Sequence, residues 1–98
     1  MKNKAIVARS ARELARALGL SASDGAEIAL RSSLNSKIIG VVQKKGLTHA
    51  QVARLAGTSR TRVTAIMNRN TQHISTDLML RVLHALGYTA RITFTRAA

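Results

Sequence analysis

Arginine and threonine side chains are concentrated in residues 60–69, near the middle of the chain. Arg60 and Arg62 carry guanidinium groups, which can donate two parallel hydrogen bonds to guanine or to phosphate oxygens. Thr61 and Thr64 stand beside them, and a threonine can bond a base or touch a thymine methyl group. These residue types are suited to reading the base edges and the backbone of a nucleic acid.

The charge around this stretch favours the same kind of partner. The chain of 98 residues has a formal net charge of +12, from 16 Lys and Arg against 4 Asp and Glu. Between Glu27 and Asp77 the sequence has basic residues and no acidic ones. A surface that serves only solubility normally mixes both signs, whereas an uncompensated positive field attracts polyanions. We therefore expect double-stranded DNA as the partner.

The residues just before this stretch predict a short helix, residues 48–56, that would support it. Val52, Leu55 and Ala56 recur at helical spacing and predict an apolar face. Thr48 is a suitable N-cap, because its hydroxyl can accept from a backbone N–H of the first turn. Gly57 follows the helix, where a glycine can adopt the left-handed backbone of a sharp turn.

A second helix is predicted directly after the glycine turn, with Thr58 or Ser59 as its N-cap. Val63, Ile66 and Met67 form its apolar stripe and anchor it. Ala53 of the first helix is expected to be small because two helices that cross steeply over a short turn approach closely there. The polar side of the second helix then faces outward with Arg60, Thr61, Thr64 and Ala65, and Arg62 lies at its flank.

Four of these residues carry a family resemblance. Ala53, Gly57, Val63 and Ile66 stand at the spacing of the helix-turn-helix of phage-repressor-like regulators, the xenobiotic-response-element family. From Asp24 onward, and especially through residues 46–48, 59–60 and 83–87, the chain also resembles HigA-like antitoxins and their stand-alone relatives.

The resemblance and the expected exposure together suggest roles for individual residues. The family often has glutamine where His49 stands, and that glutamine helps to clamp the phosphate backbone; a histidine can also donate a hydrogen bond. Side chains and backbone donors at the start of the first helix, and side chains around the second, are candidates for phosphate contacts. The predicted base-reading residues are Arg60, Thr61, Thr64 and Ala65. The predicted phosphate-binding residues are Thr48, His49, Gln51, Arg62, Asn68 and Arg69.

Two further segments precede this pair of helices. Residues 1–20 are basic and rich in alanine, and their apolar residues predict an amphipathic helix. This helix could pack on the core, act as an arm for DNA or a protein, or be an organellar transit peptide. The first two are favoured, since Glu13 and a short connector leave little room for a cleavable leader. From Asp24 to about Lys45 we expect one long helix, or two broken near Ser32 and Ser33, with Ser23 as a cap.

After the second helix, Ser75 or Thr76 caps a helix that ends at Gly87. In residues 88–95, Ala90, Ile92 and Phe94 alternate with polar residues and predict a strand. A lone strand leaves backbone groups unpaired, so antiparallel pairing with a second copy about a two-fold axis is favoured over a frayed tail. Ala90, Ile92 and Phe94 are thus the predicted dimerisation residues.

These elements predict an all-α fold, a lambda-repressor-like helix-turn-helix bundle of about five helices with one C-terminal β-strand. The expected divisions are residues 1–20, an N-terminal arm or helix; 21–87, the DNA-binding domain; and 88–98, the dimerisation strand. The absence of cysteine from the sequence excludes a disulfide framework and a zinc finger, and it fits a reducing cytoplasm. No apolar run reaches membrane-spanning length, so a cytoplasmic, nucleoid-associated protein is expected.

The function predicted from these patterns is that of a transcriptional regulator, most simply a repressor, which binds an inverted-repeat operator as a homodimer. An antitoxin that binds a small protein toxin and a nonspecific DNA coat are the alternatives, although the chain has no acidic segment to cover a basic toxin. We expect no enzyme, cofactor or metal site. His49, His73 and His84 are scattered, and the sequence contains neither an HExxH pair nor a phosphate-binding glycine loop.

Overall fold

A computed structural model describes residues 22–94 and Arg96. This part of the chain contains four α-helices, which we number in chain order. They are α1 (Ala22–Lys45), α2 (His49–Ala56), α3 (Arg60–Met67) and α4 (Thr76–Ala85). The all-helical class and the helix-turn-helix arrangement agree with the sequence prediction. The helix expected in residues 1–20 lies outside the described residues.

The longest helix, α1, runs without a break through Ser32 and Ser33, so the one-helix alternative is correct for this segment. Ser23 lies within the helix, and its predicted role as a cap at the helix start is wrong. Gly40 is exposed on α1, and a Cβ built there would have no atom of the described chain within 4 Å. No neighbouring helix of the described chain therefore packs closely against this glycine.

The four helices share one apolar core. Helix α1 packs against α3 and α4, and α2 packs against the same two helices. The side chains of Ile38, Val52, Ile66, Met79 and Val82 are completely buried, and each helix contributes at least one of them. Burying one such side chain contributes about 1.5–3 kcal/mol, so the core is what holds the short helices α2 and α3 in place.

Leu55 departs from the predicted pattern. The spacing of apolar residues in α2 places it beside Val52 and Ala56, but its side chain is 57% exposed while both neighbours are buried. Residues 55 and 52 are three apart, which puts Leu55 at the edge of the apolar face, and the packing of α3 and α4 leaves that edge uncovered. The interpretation of Leu55 as a core residue is wrong.

All four helices in the described residues end in the same type of turn. Its central residue has a left-handed backbone, with φ of 64° at Gly46, 66° at Gly57, 59° at Arg69 and 93° at Gly87. In each turn the following N–H bonds the carbonyl five residues earlier, which satisfies an orphan group of the helix end. Arg69 is the exception, because the other three residues are glycines. A residue with a Cβ costs roughly 1–2 kcal/mol in this conformation.

The C-terminal tail follows α4 along the core before it turns to solvent. Tyr88 and Ala90 are half-buried against the core, whereas the side chains of Ile92 and Phe94 are 61% and 93% exposed. Residues 88–94 form no strand pairing within the described chain. Of the three predicted dimerisation residues, Ala90 is thus half-buried against its own core, and Ile92 and Phe94 are exposed. None of the four described helices is long and apolar enough to cross a membrane.

Candidate nucleic-acid interface

Helices α2 and α3 are short, and side-chain caps define where each begins. Thr48 Oγ1 accepts from the Gln51 backbone N–H at 3.1 Å, and Gln51 Oε1 accepts from the Thr48 N–H at 2.8 Å, which is a capping box. Ser59 Oγ accepts from the Arg62 N–H at 3.2 Å and caps α3. The predicted cap at Thr48 is confirmed, and Ser59 rather than Thr58 is the second cap. The amide oxygen of Gln51 is thus engaged, while its amide nitrogen takes no part in the capping box.

The buried sides of the two helices meet at small and β-branched residues. Ala53 of α2 is 6% exposed, and Val63 and Ile66 of α3 are 1% and 0% exposed. Gly57 makes the turn between the helices with its left-handed backbone. Each of the four positions that carried the family resemblance therefore lies in the core or in the turn, as predicted.

The outward side of α3 presents the predicted reading residues to different degrees. Arg60, Thr61 and Arg62 are exposed at its first turn, whereas Thr64 and Ala65 are half-buried. Ala65 also packs against the core, so a ligand can touch it only along one edge. Among the base-reading candidates, the structure therefore leaves Arg60 and Thr61 most accessible.

His49 and Thr64 are in contact, which the sequence did not indicate. The His49 Nδ1 atom lies 2.8 Å from Thr64 Oγ1, within hydrogen-bond distance, across the crossing of α2 and α3. Which atom donates depends on the histidine tautomer. A predicted phosphate-binding residue thus braces a predicted base-reading residue, and the other ring nitrogen, Nε2, is not used in this contact.

The contact between His49 and Thr64 predicts energetic coupling. His49→Ala and Thr64→Ala should each destabilise the fold, and the double variant should lose about 0.5–1.5 kcal/mol less than the sum of the two, since one hydrogen bond can be lost only once. Urea unfolding of the four proteins measures this difference. Losses that add within about 0.3 kcal/mol would show that the contact does not contribute.

The end of α3 is fastened to α1 by side chains that sequence reasoning missed. The buried Asn35 donates through Nδ2 to the Ile66 carbonyl at 2.8 Å. Asn68, the exposed C-cap of α3, precedes Arg69, whose Nη1 donates to Ser36 Oγ at 3.2 Å. The guanidinium of Arg69 is therefore held beside α1. The one signal in the sequence that could have indicated a buried role for Asn35 was its place among the apolar positions of α1.

Arg31 fastens the segment that follows α3. Its Nη1 donates to Thr76 Oγ1 at 2.9 Å, and its Nη2 donates to the carbonyls of Thr71 and Ile74 at 2.7 and 2.5 Å. These bonds span 40 to 45 residues of sequence, and the guanidinium is partly buried. Helix α3 is consequently held at both ends, by the Gly57 turn and by α1.

The described side chains around α2 and α3 give this surface a positive charge. Arg54, Arg60, Arg62 and Arg69 are all exposed, and between Glu27 and Asp77 no residue carries a carboxylate. Exposed cations without acidic neighbours raise the local potential and attract the phosphates of a polyanion. An exposed, cationic second helix braced on a first helix is the geometry of a helix-turn-helix DNA-binding domain.

Comparison with known proteins supports this assignment. A family described as a helix-turn-helix domain matches residues 10–95, which is most of the chain. The protein belongs to this helix-turn-helix family. No curated protein matches the chain, and no solved structure does.

Proposed function

We propose that the protein is a sequence-specific transcriptional regulator, acting as a repressor, of the xenobiotic-response-element type. The single observation that carries the proposal is the exposure of Arg60 and Thr61 at the start of a helix that is rigidly braced by the rest of the fold. A rigid support matters because base readout requires donors held in a defined position and direction. The proposal assigns no enzymatic reaction to the protein and places it on DNA in the cytoplasm.

In this proposal α3 enters the major groove and divides its contacts by position. Arg60 and Thr61 contact base edges, and Thr64, with its hydroxyl oriented by His49, contacts a base one turn further on. Phosphate contacts come from the start of α2 and from the flanks and end of α3. They are made by Thr48, His49, Gln51, Arg62, Asn68 and Arg69.

The operator should emerge from selection of bound DNA. Genomic fragments retained by the protein at about 0.15 M salt should share an inverted repeat whose half-sites lie about 34 Å apart, since a two-fold dimer places its reading helices in successive major grooves. Retention of fragments without a shared sequence would refute specific regulation and support a nonspecific coat.

The tail supplies the second copy in this proposal. Ile92 and Phe94 are exposed apolar side chains on one side of an alternating segment, and a strand edge that is free in one molecule can pair with the same edge in another. Antiparallel pairing about a two-fold axis would cover both side chains. Ala90 packs against the core of its own molecule and marks the start of the paired segment.

Removal of residues 91–98 should convert a dimer to a monomer. The cut leaves Tyr88 and Ala90 on the core, so thermal stability of the monomer should change little. The double variant Ile92→Asp, Phe94→Asp should have the same effect because it places charges on the pairing face, whereas Arg91→Ala, Thr93→Ala on the other face is the control. Sedimentation velocity measures the outcome, and a dimer that survives the deletion would refute pairing through the tail.

A further inference from the structure

An open cleft with several polar side chains in its lining lies between α1 and the segment that follows α3. It has a volume of about 420 Å³, and its donors come from Arg31 and Ser32 on one side and from Arg69 and Gln72 on the other. The buried Asn35 lies in the same lining. Volumes of this order are typical of small-ligand sites.

The cleft contains two guanidinium groups and, among its described lining residues, no carboxylate. Arg31 is partly buried and bonds only neutral acceptors, two carbonyls and one hydroxyl. These bonds take three of the five N–H groups that a guanidinium carries. A partly desolvated cation that bonds only neutral acceptors stabilises an anion placed beside it.

Arg69 adds a second, independent observation. The turns after α1, α2 and α4 have glycine at the left-handed position, and the turn after α3 has Arg69 there, although the backbone geometry is the same. Glycine would suit this backbone better, so the arginine is unfavourable for the turn itself. Its side chain instead reaches Ser36 on α1 at 3.2 Å, which places the guanidinium at the border of the cleft.

We propose that this cleft binds a phosphate group. Arg69 would donate to it as the main ligand, Arg31 would contribute its remaining N–H groups and the positive charge, and Ser32 and Gln72 would add hydroxyl and amide donors. A phosphate presents several acceptor oxygens, which suits guanidinium donors arriving from two sides. The phosphate belongs either to the backbone of bound DNA or to a free phosphate-bearing small molecule. The inference does not rest on the proposed regulatory function, because free phosphate is sufficient to test it.

A phosphate in the cleft would lie near the C-terminal end of α3. Arg69 follows the C-cap of α3, and Asn35 of the cleft donates to the Ile66 carbonyl in the last turn of α3. An anion that draws Arg69 and Arg31 together would therefore influence how α3 is held. If the ligand is a free phosphate-bearing molecule, it and DNA bind at the same time, and each changes the affinity of the other to the same degree.

The test is an NMR titration of the full chain with inorganic phosphate, compared with chloride at matched ionic strength. Phosphate should give saturating shifts of the backbone amides of Ser32, Asn35, Arg69 and Gln72.

Arg69→Gly should weaken this binding about tenfold or more, the usual effect of losing a charged hydrogen bond. The same variant should melt at a temperature equal to or above that of the parent, because glycine suits the turn. The control is Arg54→Gln, which removes one exposed positive charge without placing a glycine inside a helix. It should leave phosphate binding unchanged.

Shifts that do not saturate, or that chloride reproduces, would overturn the proposal. Equal weakening by Arg69→Gly and Arg54→Gln would also overturn it, since the binding would then follow net charge alone. Adding a DNA fragment retained by the protein distinguishes the two sources of phosphate. Displacement of inorganic phosphate from the cleft by DNA identifies the DNA backbone as the ligand, and simultaneous binding identifies a free phosphate-bearing molecule; both outcomes support the cleft as a phosphate site.

Discussion

Arg60→Ala is expected to weaken binding to the selected operator by about 1–3 kcal/mol, which is roughly 5- to 150-fold. The physical reason is the loss of two parallel hydrogen bonds from an exposed guanidinium to one base. Because those bonds carry sequence information, the variant should also lose its preference at one operator position. Gel shifts on the operator and on a scrambled fragment of equal length measure both effects.

Arg54→Ala is the matched control for Arg60→Ala. Both variants remove one exposed arginine from the helix-turn-helix, but Arg54 lies on α2 and no base contact is proposed for it. Arg54→Ala should lose only the general attraction of one exposed cation for DNA, and equally for both fragments. Arg69→Ala should weaken binding to all sequences alike and flatten the dependence of affinity on salt. If Arg60→Ala weakened binding to the operator and to the scrambled fragment equally, its proposed reading role would be refuted.

Arg31→Met should lower the free energy of unfolding by about 2–4 kcal/mol, since it removes three hydrogen bonds from a charged, partly buried donor. Methionine keeps most of the aliphatic length, so the loss reports mainly the missing donors. The carbonyls of Thr71 and Ile74 would lose their partner, and the segment between α3 and α4 would become looser. Urea unfolding gives the magnitude, and hydrogen exchange of residues 70–76 locates it.

Two further variants separate geometry from charge at this position. Arg31→Lys keeps the charge but cannot reach three acceptors with a planar fork, so it should recover only part of the lost stability. Arg81→Met removes an exposed arginine from α4 and should change stability by less than about 0.5 kcal/mol. A loss of stability in Arg31→Met no greater than that in Arg81→Met would show that the three bonds contribute nothing.

The positions of the helices could be predicted because their determinants are local. Thr48, Ser59 and Ser75 cap helices, and each does so through its own neighbours in sequence. Gly46, Gly57 and Gly87 adopt the left-handed turns that end them, and the backbone preference of glycine does not depend on distant residues. The outward position of Arg60 and Thr61 followed from the period of the helix and the apolar stripe of Val63 and Ile66.

Contacts between distant segments could not be predicted. The bonds of Arg31, Asn35 and His49 join residues separated by 45, 31 and 15 positions. They depend on the angle at which helices cross and on which edge each helix leaves open, and neither quantity is visible in a periodic pattern. The same reason explains Leu55, whose spacing fits a core residue although no neighbouring helix covers it.

The sequence by itself determined the helical class, the caps of α2, α3 and α4, the three glycine turns, the family resemblance and the positive charge of the reading helix, because these depend on residue type and near neighbours. Only the tertiary structure decided how that helix is supported and where Arg69 points. Arg69 stands at a turn where glycine would be the better residue, and its side chain reaches α1, 33 positions away. A long-range contact of that kind exists only after the chain has packed, since it requires two distant segments to be brought together by the core.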